Sequence, residues 1–97
     1  MKREDVLQIL REHYPELKNR YKISTLSIFG SVARDEARSD SDVDMLVEFV
    51  EVPGLFEFIE LQQTLELLLG CKVDLGTPRS LKPNIKPAAL KEAIRVA

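Results

Sequence analysis

The stretch from Leu26 to Phe49 constrains this chain more than any other. Two apolar segments bracket a Gly-Ser pair and, ten residues further on, an Asp-x-Asp. The order is Leu26-Ser27-Ile28-Phe29, Gly30-Ser31, Val32 to Ser41, Asp42-Val43-Asp44, then Met45-Leu46-Val47 and Phe49. The first segment alternates in part and ends in glycine, which reads as a strand delivered to a tight turn. A short helix opened by Gly30 and Ser31 would turn free N–H groups and a positive dipole end toward an anion. Asp42 and Asp44 stand two apart at the start of a second strand, so their carboxylates face the same way. Side by side they repel unless a cation lies between them. A hard ion such as Mg²⁺ takes oxygen ligands of this kind, shared with substrate phosphates. A phosphate cradle and a metal-binding carboxylate pair on adjacent strands describe a triphosphate site.

Each half also has an ordinary reading, as a plain turn and as a solvated acidic loop. A calcium loop is the sharper rival, with Asp40, Asp42 and Asp44 at positions 1, 3 and 5 and Glu51 at position 12 of an EF-hand register. It fails where Met45 replaces the glycine needed for the sharp turn, and because Met45 to Val50 is too apolar for an exposed ion loop. Two-metal phosphoryl transfer would call for a further carboxylate. Asp74, in the β-like run Cys71-Lys72-Val73-Asp74-Leu75, is the candidate. If that run pairs beside the other strands, Asp74 reaches the first metal and accepts the acceptor's proton; otherwise it is an exposed strand-end residue.

Val6, Leu7, Leu10 and Tyr14 predict an N-terminal helix over about 3–13, interrupted by Pro15, with a short turn through Leu17 to Tyr21. Strands are expected over about 24–29, 43–49 and 72–75. Between the last two lies a helix, Leu55 to Leu69, stopped by Gly70. Its expected core face is Leu55, Phe58, Ile59, Leu61, Leu65, Leu68 and Leu69. Phe56 and Leu67 fall off that face, as a contact with another chain or a flank under a loop. Pro87 opens a last helix over about 87–96. The first two strands are too closely linked for a crossover and should pair antiparallel, whereas the long helix permits a parallel crossover. The fold class expected is α/β of the α+β type: a small mixed sheet with helices over one face, in a single domain 1–97.

With 97 residues, 44% apolar and 31% charged, the chain has the composition of an ordinary soluble domain with one modest core. A net charge of −2 argues against nucleic-acid binding through bulk positive potential, although Arg34, Arg38, Arg79, Lys82 and Lys86 could each neutralise phosphate locally. A single cysteine, Cys71, excludes an internal disulfide framework and suits a reducing cytoplasm; it is expected as a small core residue. No targeting or membrane-spanning segment is expected. His13 is given no role. So little of the chain lies outside the sheet and its helices that the acceptor of any transfer is expected from a partner protein.

Gly-Ser-x10-Asp-x-Asp, followed by Leu46-Val47-Glu48-Phe49, a helix and Val73-Asp74-Leu75, resembles the polymerase-β-like nucleotidyltransferase superfamily. Within it, the chain is similar to the minimal nucleotidyltransferase (MNT) family, over about residues 20–95. The resemblance implies a catalytic core over about 24–76 and two Mg²⁺ ions held by Asp42 and Asp44. It implies Asp74 as third ligand and base, and Gly30 and Ser31 as holders of the triphosphate of ATP. It further implies an antitoxin that transfers AMP to a hydroxyl, a tyrosine's, on a HEPN-family toxin; a homo- or hetero-oligomer is open. A non-catalytic antitoxin that silences its partner by binding alone is the rival; nucleotidyl transfer to an RNA end is a third, weakened by the acidic balance. One departure stands out: Asp35 occupies a position where the family has glycine. It is expected to be structural, since Asp tolerates a left-handed backbone, with some cost in phosphate affinity.

Overall fold

The first helix, α1 (Arg3–Tyr21), runs without a break through Pro15. In this computed structural model, which describes all 97 residues, the expected end near residue 13 is therefore corrected. The cause is packing. Val6, Leu7, Leu10, Tyr14, Leu17 and Tyr21 are all buried and continue one 3.6-period face across the proline. Full burial of such side chains is worth about 1.5–3 kcal/mol each, enough together to outweigh the ~3 kcal/mol cost of an interior proline. Pro15 itself lies on the exposed side, as does Arg11, whose carbonyl loses its partner there. Lys22, left-handed at φ 55°, ends the helix by donating its N–H to the Lys18 carbonyl.

The remaining elements are β1 (Ile23–Phe29), α2 (Gly30–Ala33), β2 (Val43–Phe49), α3 (Leu55–Leu69), β3 (Val73–Gly76), a 3-10 turn (Pro78–Ser80), α4 (Lys86–Glu92) and β4 (Ile94–Arg95). They form a four-stranded sheet in the order β3-β2-β1-β4. β1 and β2 pair antiparallel and β2 and β3 parallel, as the connection lengths require. β4 is new relative to the sequence reading. The expected last helix over 87–96 ends at Glu92, and Ala93 turns extended at ψ 136°. Ile94 and Arg95 then pair antiparallel with Ile28 and Ser27 of β1. Val96, buried, donates its N–H to the Leu26 carbonyl at 2.8 Å.

Val43, Met45 and Val47 of β2 face the main core with Leu26 and Ile28 of β1 and Val73 and Leu75 of β3. α1 and α3 pack against each other and onto this face. From α3, Leu61, Leu65 and Leu69 enter the core. The expected core positions Leu55 and Ile59 do not, being 71% and 39% exposed. Between them, Phe58 is only half-buried and stands edge-on to Phe49 of β2, ring centroids 6.2 Å apart. Phe56 and Leu67 are exposed. Cys71 is half-buried, its Sγ 3.7 Å from Met1 Sδ, and burial raises its thiol above the usual value. No helix is long and apolar enough to cross a membrane.

Candidate active site

Period-two alternation decides which side chains leave the core face. With Val43 and Met45 buried in the core, Asp44 projects to the opposite face of β2. The parallel register sets Asp44 beside Asp74, just as Val43 is set beside Val73, so the two carboxylates share that face. Asp42 precedes β2 with the same parity and is exposed. On the other side, Asp44 is paired with Phe29, the last residue of β1. The chain leaves β1 through Gly30 at φ +72°, and a Cβ there would overlap Asp44 Oδ2 and lie 3.2 Å from its Cγ. Glycine is thus required twice at this position, by the backbone angle and by the carboxylate packed against it. Ser31 follows within α2, and its carbonyl accepts the Glu36 N–H at 2.8 Å.

The electrostatics agree with this crowding. The Asp44 carboxyl is raised above its ordinary value by burial first, then by the charges of Asp74 and Asp42, with Glu92 adding slightly and Arg34 opposing. Asp42, Asp44 and Asp74 are therefore close enough to feel one another. No three His, Cys, Asp or Glu side chains stand near enough to close on one ion by themselves. An all-oxygen set of this kind fits Mg²⁺, which keeps waters and takes one or two carboxylates together with phosphate oxygens. The donor chemistry thus suits an ion that brings further oxygen ligands of its own more than a preformed protein cage.

Asp35 adopts the left-handed backbone, φ 59°, at the end of the α2 turn. Its carboxylate Oδ1 accepts the Arg3 N–H at 3.1 Å, so the charge is spent on the first turn of α1. Of the basic residues, Arg34 reaches the site; its Nη1 donates to Glu92 Oε2 at 2.9 Å and its Nε to Glu36 Oε2 at 3.3 Å. Glu92 is the residue that sequence reasoning missed. Its other oxygen, Oε1, accepts the Gly30 N–H at 3.0 Å, across 62 positions of sequence. No local motif or spacing marks it, because only the return of the chain through α4 brings it to Gly30. The largest concavity, about 580 Å³, lies toward the other end of β2 around Phe49, Val52, Leu55 and Arg79, away from the carboxylates.

A family profile described as the nucleotidyltransferase domain matches residues 10–96 of the chain. The chain belongs to the nucleotidyltransferase family. Among its relatives is the protein adenylyltransferase MntA of Thermococcus cleftensis, 46% identical over 93 residues, covering 96% of this chain and 94% of that one. A solved structure provisionally described as a minimal nucleotidyltransferase superposes with a TM-score of 0.80 at 42% identity, covering 97% of this chain and 95% of that one. The nucleotidyltransferase is thus a minimal member by sequence and by fold. More distant structures share the fold alone. A toxin-antitoxin with AMP-PNP has a TM-score of 0.72 at 21% identity, covering 90% of this chain and 72% of that one. A tri-AMPylated Shewanella oneidensis HEPN toxin in complex with its MNT antitoxin has a TM-score of 0.66 at 20% identity, covering 94% and 71%.

Proposed function

We propose that this nucleotidyltransferase transfers AMP from ATP to a hydroxyl of a partner protein, as the antitoxin of a HEPN-type toxin whose tyrosine is the acceptor. The observation that carries this reading is the shared face of Asp44 and Asp74 beside the glycine turn at Gly30. The names of the relatives, protein adenylyltransferases among them, supply the acceptor class. A cytoplasmic location goes with it.

In this mechanism Ser31 and the N–H groups from Gly30 onward take the β- and γ-phosphates. Asp42 and Asp44 would hold two Mg²⁺ ions, with Asp74 as third ligand of the first. When bound, such ions neutralise charge on the triphosphate and favour in-line displacement. Asp74 receives the proton of the acceptor hydroxyl. The new oxygen–phosphorus bond forms at the α-phosphorus as the bond to the pyrophosphate oxygen breaks, and pyrophosphate leaves. Most of the rate comes from holding these groups in line.

The test pairs the protein with the product of its neighbouring gene. With ATP and Mg²⁺, intact-mass spectra should show AMP-sized additions to that partner. Asp74→Asn should bind the partner as wild type does and fail to modify it. If Asp74→Asn neutralises the partner fully and neither protein yields an adduct, the binding-only antitoxin is the correct reading. Ser31→Ala is expected to weaken ATP use only in part. It removes one hydroxyl hydrogen bond to a charged group, worth about 1–3 kcal/mol, and leaves the backbone donors in place. A loss in kcat/KM of about ten- to a hundredfold in steady-state kinetics meets that expectation. No loss at all would remove Ser31 from the phosphate site.

A further inference from the structure

We propose that Glu92 is a built-in competitor of the nucleotide's phosphates, holding the Gly30 N–H and Arg34 until ATP displaces it. The inference rests on the nucleotide reading above. One carboxylate oxygen accepts the Gly30 N–H at 3.0 Å and the other accepts from Arg34 Nη1 at 2.9 Å. A backbone N–H and a guanidinium converging on one anion are also the donors that a phosphate oxygen takes. Each N–H has a single proton, so Glu92 and a phosphate cannot both be served by it at full strength.

Charge makes the exclusion sharper. Ser31 is the next residue, its Cα about 3.8 Å from that of Gly30, so a phosphate brought to Ser31 arrives beside the Glu92 carboxylate. Asp42, Asp44 and Asp74 already crowd the same end of the sheet with negative charge. Glu92 has somewhere to go. Its side chain is 26% exposed, and it is the last residue of α4, so it can swing outward without unwinding a turn. Its departure frees Arg34 Nη1 to meet the incoming phosphate, while Glu36 keeps hold of the Nε. The competition falls only on ligands that place a phosphate at this turn. ATP bears it and AMP does not.

Calorimetric titration of wild type, Glu92→Ala and Glu92→Gln with ATP and with AMP, in Mg²⁺, reads this directly. Glu92→Ala should tighten ATP by about tenfold, equivalent to 1.4 kcal/mol, and leave AMP within about twofold. Glu92→Gln keeps an oxygen for the Gly30 N–H without the charge and should fall between. Thermal melts identify a variant that has not folded; if Glu92→Ala is one, Glu92→Gln decides. Unchanged or weaker ATP binding by a folded variant overturns the proposal and makes Glu92 a structural tether of α4. If wild type and both variants all fail to bind ATP while folded, the nucleotide reading itself falls, and this inference with it.

Discussion

Asp44→Asn is expected to lose transfer activity by about a thousandfold or more and, in the same protein, to melt at a higher temperature at neutral pH without Mg²⁺. The activity loss follows from the several kcal/mol that charge neutralisation supplies to phosphoryl transfer, each 1.36 kcal/mol being tenfold in rate. The stability gain follows from burial and from Asp74 and Asp42, which raise the Asp44 carboxyl above its ordinary value. The folded chain therefore binds this proton more tightly than the unfolded chain does. The stability tied to the protonated form is present below the ordinary carboxylate value and is lost as pH rises through the raised one. Asparagine is neutral throughout. Its advantage over Asp44 should be complete at neutral pH and absent in strong acid. Calorimetric scans across that range, alongside a transfer assay, check both halves. Wild-type turnover would reject the carboxylate-centred mechanism, and a lower melting temperature at neutral pH would mean that Asp44 makes stabilising contacts as an anion.

Gly30→Val is expected to cause the largest combined loss, removing ATP binding and lowering the melting temperature by about 10 °C. A left-handed backbone costs an L-residue about 1–2 kcal/mol, and a β-branched one more. At φ +72° valine meets that cost and also drives its Cβ into Asp44 Oδ2. For a domain of this size each kcal/mol corresponds to about 4–8 °C. Gly30→Ala shares the backbone cost and the Cβ contact but lacks the branched methyls, so it should be milder on both readouts. Valine at this position with wild-type ATP affinity, measured by calorimetry, would mean that the phosphates bind elsewhere.

The parts of the fold that were legible are those whose signals are local. Gly70 ends α3 where a left-handed residue was expected, and the short β1–β2 link dictated antiparallel pairing. Asp35 took the left-handed angle expected of it, while its bond to Arg3 was not readable from sequence. Pro15 reads as a breaker by its local chemistry, but the spacing of Leu17 and Tyr21 continues the helix face beyond it, and their burial outweighs the local cost. β4 was illegible for a different reason. Two residues carry no period, and its existence depends on β1 offering a free edge to a returning chain. The same holds at the site. Gly30, Ser31, Asp42 and Asp44 lie within fifteen residues and announce themselves by spacing, whereas Glu92 is tied to them only through space. Leu55 and Ile59 have the right period for a core and stand exposed, since periodicity gives the face of a helix and not how much of its length is covered.

The inner strands, β1 and β2, are seven residues long, while the outer ones, β3 and β4, have four and two. Short outer strands expose few unpaired N–H and C=O groups, and here they carry the exposed charges of Asp74 and Arg95. A strand added beside β3 or β4 would therefore have at most four or two residues to pair with. Copies of the chain should gain little by extending β3 or β4, and any assembly should be built through side chains and helix surfaces in place of new rungs on those two strands.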